Sequence, residues 1–342
     1  MKKTIVIDTS TLFFPAVFSF ERQVQLNHQM NTNNFVMPAH VTYFYSVLSC
    51  LKKIGVDEDT KVIMALEGKS WRKSVAGYYK AQRAGDRDAH KLIDWDKEFK
   101  NLNKINDTLN EATDWYFVRE WDSESDDVCA VACRYYKNDT VVIATCDKDL
   151  HQLAYYENVL IFNVHKKCKG SKGMYDKVDD PLKIIADKVR MGDISDNIIV
   201  DKVNDTELDE QLRFEIINLL ELPDYVENGI REIFDGFEKK ELNLDKLPSF
   251  RNAREKFLKI YEKEKIVTPE YCYKLAEKRK ATQDKKIKDR KLEKKKIELK
   301  DVMLEQLSKA KFNGLKRSGF LKEVYPDAPE IYEDINKKGE QE

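Results

Sequence analysis

The fold is decided by residues 122–149, DSESDDVCAVACRYYKNDTVVIATCDKD, which predict a helix followed at once by a strand. Ser123 can cap the helix, and apolar residues recur at helical spacing as far as Tyr135. Acidic side chains in a first helical turn suit the positive end of the helix dipole. The acids of this predicted first turn are Glu124, Asp126 and Asp127.

The strand predicted after this helix covers residues 140–146, TVVIATC. A short, continuous apolar run rich in β-branched residues is typical of a strand buried on both faces in a parallel sheet. It would deliver Asp147 and Asp149 at its carboxyl end. Taken alone, these acids also fit ordinary helix capping and an ordinary polar loop, so the rest of the chain has to decide between the two interpretations.

Further strands are predicted outward from this segment, at residues 3–7, 61–66, 115–118 and 159–163. Helices alternate with them. One follows Pro38 and ends at Gly55, and others are predicted at 181–191, 207–221 and 251–263. Strands that alternate with helices predict an α/β fold with a mostly parallel sheet.

The acidic residues fall where such a sheet would place a site. In open α/β sheets the site lies outside the carboxyl ends of the strands. The acids at or just after predicted strand ends are Asp8, Glu67, Glu124, Asp126, Asp127, Asp147 and Asp149, and the later loop GDISDN adds Asp193 and Asp196. Carboxylates without a His or Cys cluster favour hard cations, so we expect a site for Mg²⁺ or Mn²⁺.

Charge is distributed unevenly along the 342 residues, although the formal net charge is only −1. Residues 69–91 carry seven Lys or Arg against two Asp, and residues 274–300 carry thirteen against five acids. Residues 122–149 carry seven acids against three bases. An acidic pocket beside basic surfaces is suited to holding metal ions together with a polyanion.

The basic stretch 69–91, KSWRKSVAGYYKAQRAGDRDAHK, also contains aromatic residues. Cations neutralise phosphate and aromatic rings stack on bases, which is how single strands are bound without sequence readout. The alternative is a solvated helix face. The candidate nucleic-acid contacts are Lys69, Arg72, Lys73, Tyr79, Lys80, Arg83 and Arg87. For the long charged helix predicted at 276–300, contact with a duplex and simple solvation are equally compatible with the sequence.

Other classes of protein are disfavoured. The six cysteines show no paired spacing that would predict a disulfide framework or a zinc site. No apolar run is long enough for a membrane span, and no signal peptide precedes MKKTIVIDTS. We expect a cytoplasmic, monomeric protein, in the host cytoplasm if it is phage-encoded.

Five segments together resemble the flap endonuclease and 5′-to-3′ exonuclease superfamily, most closely its ribonuclease H branch from T-even bacteriophages. They are DTS at Asp8, GKSWRK followed by YYKAQR, ESDDV at 124–128, TCDKDLHQL at 145–153 and GDISDN at 192–197. The resemblance covers about residues 3–200. It implies a PIN-like core at 1–200 with a helical arch inserted at about 69–112, followed by a helical, highly charged region at 201–342.

The resemblance also implies a function. It is that of a nuclease with two Mg²⁺ ions, for which Mn²⁺ can substitute, that removes RNA primers from lagging-strand fragments and cuts flaps. Asp8, Lys80 and Arg83 would act in catalysis, and Tyr79 would stack on a base. The first ion would be held by Asp8, Glu124, Asp126, Asp127, Asp147 and Asp149, with Glu67 as a further ligand, and the second by Asp193 and Asp196.

One position departs from the family pattern, because Leu66 stands where the family has an aspartate and Glu67 follows one residue later. Two alternatives therefore stay open: a binding scaffold that has lost catalysis, supported only by Leu66, and a PIN-like ribonuclease, which usually lacks the basic insert. The expected substrates are branched or 5′-ended DNA and RNA–DNA duplexes. A sliding clamp and a single-strand-binding protein are the expected protein partners.

Overall fold

A six-stranded sheet forms the centre of the molecule. The computed structural model describes residues 2–168, 171–201, 206–262 and 266–309. The strands are β1 (Lys3–Asp8), β2 (Thr60–Ala65), β3 (Tyr116–Val118), β4 (Thr140–Thr145), β5 (Val159–Cys168) and β6 (Ser171–Asp176). Their order is β3-β2-β1-β4-β5-β6, and every pair is parallel except β5 with β6. The predicted α/β class with a mostly parallel sheet is confirmed.

The strand order places a topological switch point at the middle of the sheet. The chain moves outward from β1 through β2 to β3, and then returns to the other side of β1 with β4. Neighbouring loops at the carboxyl ends of β1 and β4 therefore leave the sheet in different directions, and the crevice between them is where open α/β sheets bind ligands. The antiparallel β6 was not predicted, since its sequence, SKGMYD, lacks a continuous apolar run.

Helices surround the sheet. In the first half of the chain they are α1 (Ser10–Gln29), α2 (Ala39–Ile54), α3 (Arg72–Val75), α4 (Arg83–Ala89), α5 (Trp95–Ala112) and α6 (Ser125–Tyr135). They continue with α7 (Pro181–Met191), α8 (Glu207–Ile217), α9 (Asp224–Asp235), α10 (Ala253–Leu258) and α11 (Pro269–Lys309). Short 3₁₀ helices lie at Asp149–Tyr155, Ile194–Asp196, Leu244–Lys246 and Lys259–Tyr261.

Helix α1 had no counterpart in the sequence predictions, and it contains Pro15. Proline cannot donate the helical hydrogen bond that would reach the carbonyl oxygen four residues earlier, which is that of Thr11. In the structure, Nε2 of His165 lies 3.1 Å from that oxygen and takes the place of the missing donor. A tertiary contact thus compensates for a helix-breaking residue, and such compensation is not visible in the local sequence.

The beginning of α6 also differs from prediction. Glu124, not Ser123, is the N-cap residue, and it forms a reciprocal capping box with Asp127. The hydroxyl of Ser123 instead donates to the carbonyl oxygen of Glu120 at 3.2 Å. The helix still begins within one residue of the expected position, so the acids of its first turn remain at the sheet edge.

The described residues up to Tyr273 form one compact unit, and those from Lys274 onward form a second. The predicted domain boundary near residue 200 stays a prediction. Among the helices of the described ranges, none is both long and apolar enough to cross a membrane.

Candidate active site

Three neighbouring strands bring acidic residues to the switch point. Asp8 is the last residue of β1, Glu67 lies two residues after β2, and Asp147 lies two residues after β4. Because β2, β1 and β4 are adjacent and parallel, these residues meet at one edge of the sheet. The structure therefore supports the sequence argument that separate strand ends supply one acidic group.

Asp8 lies at the centre of this group and is 4% exposed. The Thr145 hydroxyl donates to Oδ2 of Asp8 at 3.0 Å, and the Ser125 hydroxyl lies 3.2 Å from Oδ1. Burial, and after it the charges of Glu67 and Asp147, raise the pKa of Asp8 to about 7, although the hydrogen bonds from Thr145 and Ser125 act to lower it. Burial and neighbouring negative charges disfavour the ionised form of this carboxylate, and a bound cation would offset that effect.

Glu67 reaches the site although it follows Leu66. Its Oε1 accepts from the Ser10 hydroxyl at 2.7 Å and lies 3.1 Å from the Ser125 hydroxyl, the same group that contacts Asp8. Leu66 is only 8% exposed and packs into the core. The longer side chain of Glu67 thus brings a carboxylate beside Asp8 from the position after the missing aspartate.

Asp126, in the first turn of α6, faces the same group. Its pKa is raised well above the usual value, first by burial and then by the charges of Asp147 and Asp8. Asp147 itself is exposed, and its Oδ1 accepts from the backbone N–H of Asp149 at 2.9 Å. Asp8, Glu67, Asp126 and Asp147 consequently form one group of carboxylates whose charges interact.

A second acidic group is formed by Asp149, Asp193 and Asp196, each of which offers one oxygen within 4.8 Å of the others. The Lys188 ammonium contacts the carboxylates of Asp149 and Asp193. Burial and the charge of Asp147 raise the pKa of Asp149 to about 6, although Lys188 opposes that rise. Three carboxylate oxygens at this spacing, without nitrogen or sulfur donors, fit a hard divalent cation.

Glu124 lies between cations. Nζ of Lys80 donates to its Oε1 at 2.8 Å, and the Tyr79 hydroxyl donates to its Oε2 at 2.9 Å. Burial acts to raise the pKa of Glu124, but Lys80 and Arg72 outweigh that effect and hold the pKa below its usual value. Glu124 is therefore a charged carboxylate that is already paired on both oxygens.

Lys80 joins the basic stretch to the acidic site. Its backbone N–H donates to the carbonyl oxygen of Asp196 at 2.9 Å, and its Nζ lies 3.9 Å from the Asp196 carboxylate. Its φ is 53°, in the left-handed region that residues other than glycine rarely adopt. Such backbone strain persists where the surroundings fix it, and it is concentrated at functional sites.

Two predicted roles are corrected by the burial of Arg72 and Asp127. Arg72 is 2% exposed and Asp127 is fully buried. The Arg72 guanidinium donates to both Asp127 oxygens, at 2.8 and 3.0 Å, and to the carbonyl oxygen of Ile216 at 2.7 Å. Arg72 is thus no surface contact for nucleic acid. Because both oxygens of Asp127 accept from Arg72, this acid forms a buried ion pair and is not placed as a metal ligand.

Tyr79 is corrected in the same way. Its ring is 3% exposed, so it offers no face on which a base could stack. Its hydroxyl lies 2.9 Å from Glu124 and 3.2 Å from Asp196, where it connects the two acids. The prediction placed Tyr79 near the right chemistry but gave it the wrong role.

The remaining cations of the stretch are all exposed, namely Lys69, Lys73, Arg83, Arg87 and Lys91. Helix α4 has no buried residue, so its side chains face solvent. Nη2 of Arg83 lies 3.0 Å from Oδ1 of Asp196, and this ion pair brings an exposed guanidinium to the rim of the acidic site. The sequence reasoning missed Lys188, Ser125 and Thr145, and no local signal marks them, since each acts through a contact across the fold.

The fold and site define a class: an α/β domain with a mostly parallel sheet, two carboxylate groups near the switch point and a basic segment bound to their rim. Residues 3–179 match the family described as 5′-3′ exonuclease, N-terminal resolvase-like domain. The chain belongs to this family, within the flap endonuclease and 5′-3′ exonuclease superfamily.

Solved structures of a bacteriophage T5 enzyme are similar to the chain. The T5 5′-exonuclease with bound zinc shares 15% identity over 68% of this chain and 99% of its own, with a TM-score of 0.46. A T5 flap endonuclease variant with DNA and metal ions shares 18% identity over 79% of this chain and 91% of its own, with a TM-score of 0.44. Comparison with curated protein sequences gives no significant match.

Proposed function

We propose that the chain is a divalent-metal-dependent nuclease that hydrolyses phosphodiesters at the 5′ ends of DNA and RNA–DNA duplexes and cuts 5′ flaps. The observation that carries the proposal is the pair of carboxylate groups at one sheet edge, with Lys80 and Arg83 at their rim. Carboxylate-bound Mg²⁺ ions would activate a water and stabilise the leaving oxygen, and Mn²⁺ would substitute.

Asp8, Glu67, Asp126 and Asp147 would hold one ion, and Asp149, Asp193 and Asp196 a second. The positions support this division, because the first four carboxylates interact around Asp8, whereas the other three each offer an oxygen within 4.8 Å of the others and two of them contact Lys188. Glu124 would contribute to the first group through the oxygens that now face Lys80 and Tyr79.

Lys80 and Arg83 would orient the scissile phosphate. Lys80 is 9% exposed and lies among carboxylates, so a phosphate that reaches it has already entered the site. The Arg83 side chain is 51% exposed and can meet the phosphate at the entrance. A planar guanidinium can bind two phosphate oxygens at once, whereas an ammonium acts as a point charge. Lys69, Lys73 and Arg87 would neutralise the incoming strand.

The test compares cleavage of a 5′-labelled flap duplex and of an RNA-primed duplex, each with Mg²⁺ and with excess chelator. Asp149→Asn keeps the size of the side chain but removes a charge from the second group, and we expect it to abolish cleavage while flap binding persists. Asp245→Asn is the matched control, since the Asp245 side chain is 89% exposed and lies on a 3₁₀ helix remote in sequence from the acids.

We expect metal-dependent release of short 5′ products from the wild type and from Asp245→Asn, and no release from Asp149→Asn. Cleavage that persists in the chelator, or in Asp149→Asn, would refute the assignment. Comparison of the two substrates also tests the proposed role in removing RNA primers during replication. A sliding clamp and a single-strand-binding protein remain the proposed partners.

A further inference from the structure

Helix α11 is the most strongly charged surface of the described chain that the proposed site does not use. Residues 274–300 carry an excess of eight positive charges, whereas the whole chain has a formal net charge of −1, so the rest of the chain carries −9. From 277 to 298 every residue is exposed except Lys296, which is half-buried. A local concentration of cations on a protein whose other residues are net acidic suggests a negatively charged binding partner.

Stabilisation of the helix by its own ion pairs does not explain the charge. A helix that is polar on all sides usually depends on many attractive pairs four residues apart. Within residues 274–298, four attractive pairs, Lys280 with Asp284, Asp284 with Lys288, Lys285 with Asp289 and Lys294 with Glu298, are outnumbered by five repulsive ones: Lys274 with Lys278, Lys286 with Arg290, Asp289 with Glu293, Arg290 with Lys294 and Lys291 with Lys295. The charges therefore do little for the free helix.

A protein partner of the coiled-coil type is also disfavoured. The exposed apolar residues of this part of the helix are Ile287, Leu292 and Ile297, at intervals of five residues. A coiled-coil seam requires apolar residues that alternate every three and four positions. Successive steps of five residues rotate around the helix instead of following one face, so α11 offers no apolar stripe to another helix.

The first turn of α11 is fixed to the rest of the fold. Cys272 is fully buried, and the backbone N–H of Val267, just before the helix, donates to the carbonyl oxygen of Lys53 at 2.9 Å. From Lys274 to Glu298 the helix extends for about 37 Å at 1.5 Å per residue. That length corresponds to roughly 11 base pairs of B-form DNA, which present about two phosphates per base pair.

We propose that α11 binds the sugar–phosphate backbone of the duplex part of the substrate, without reading sequence. Cations occur on all sides of the helix, so it can meet phosphates in any rotational setting. Phosphate binding relieves the repulsion among its lysines and releases counterions from the duplex. The choice of a duplex as partner rests on the proposed nuclease function, but the binding can be measured without any cleavage.

The test measures how the affinity for a fluorescent nicked duplex without a flap depends on salt, in the presence of chelator. In the full chain, Lys285, Lys286, Lys288 and Arg290 are all replaced by Gln, which has a helix propensity close to that of Lys and Arg. Lys177, Lys183, Lys239 and Lys246 are replaced by Gln in the matched control, which loses the same charge from scattered exposed positions. Circular dichroism checks that both variants keep their helix content.

The α11 variant should bind about 10- to 100-fold more weakly at 0.1 M salt, and the slope of log affinity against log salt should become shallower by about one to two, because only those of the four replaced side chains that face the duplex contact phosphates. The control should change far less. An unchanged slope, or an equal change in both variants, would overturn the proposal. If wild type binds through α11 but cleaves neither substrate, the nuclease assignment fails alone; if it cleaves and the slope is unchanged, the α11 proposal fails alone.

Discussion

Replacement of Arg72 by Met should lower the free energy of unfolding of the protein without changing its affinity for DNA. The guanidinium is buried and donates to Asp127 twice, to Glu124 at 3.3 Å and to the carbonyl oxygen of Ile216. These contacts join α3, α6 and α8 beneath the acidic site. Met removes the charge and the donors but nearly keeps the length and apolar stem of the side chain.

The size of the stability loss depends on the charges that Arg72→Met leaves unpaired. Arg72→Met leaves the fully buried Asp127 and the 7% exposed Glu124 without their common cation. Breaking a buried ion pair from one side costs about 3–5 kcal/mol, because the remaining charge has no partner. With a urea dependence of about 3 kcal/mol per molar, the midpoint of unfolding should fall by roughly 1–1.7 M.

The assay is urea unfolding followed by circular dichroism, with Arg190→Met as the control. The Arg190 side chain is 73% exposed and pairs with Asp187 at 3.1 Å, so its loss should cost less than about 1 kcal/mol. The double variant Arg72→Met with Asp127→Asn should recover part of the loss, since it removes the uncompensated charge. A loss below about 1 kcal/mol for Arg72→Met, or a weaker salt dependence of DNA binding, would refute the buried-pair interpretation.

Three further outcomes are expected. Glu67→Gln should raise the Mg²⁺ concentration needed for half-maximal cleavage by about tenfold or more, whereas a normal Mg²⁺ requirement would show that Glu67 is no ligand. Mg²⁺ at about 100 times its dissociation constant should stabilise the wild type by about 2.7 kcal/mol in thermal unfolding, and Asp149→Asn should lose most of this gain; equal gains would contradict the second carboxylate group. Glu21→Gln should speed tryptic cleavage within α4 several-fold. Helix α4 has no buried residue, and His90, directly after it, lies 2.7 Å from the buried Glu21. Unchanged cleavage would show that this contact does not hold the end of the helix.

The sheet and the position of its acidic edge were predictable because they depend on short-range patterns. Apolar β-branched runs mark strands, and the residue after such a run lies at a strand end whatever the rest of the chain does. Asp8 and Asp147 were located by that rule, and both lie at the switch point between β1 and β4. Glu67 followed from the same rule, although the sequence did not show whether its side chain reaches Asp8.

The depth of each side chain was not predictable. A polar residue in a basic stretch is expected to be exposed. Three such residues are nevertheless at least nine-tenths buried: Arg72, Tyr79 and Lys80. They are buried because Asp127, Glu124 and Asp196 come from distant parts of the chain to pair with them. The other cations of the stretch, Lys69, Lys73, Arg83, Arg87 and Lys91, are exposed as the composition predicted.

The two lysines among the carboxylates explain how the fold tolerates so many acids in one place. Two like charges 4 Å apart repel by about 4 kcal/mol at an effective dielectric constant of 20, so an unpaired cluster would push the sheet edge apart. Lys80 lies between Glu124 and Asp196, and Lys188 between Asp149 and Asp193. Each ammonium therefore holds together acids from two different segments. A divalent cation bound in the same position would attract the same carboxylates more strongly, because it carries twice the charge of an ammonium. The ion pairs of Lys80 and Lys188 thus stabilise the arrangement of Glu124, Asp149, Asp193 and Asp196, and the proposed binding of a divalent ion and a phosphate depends on that arrangement.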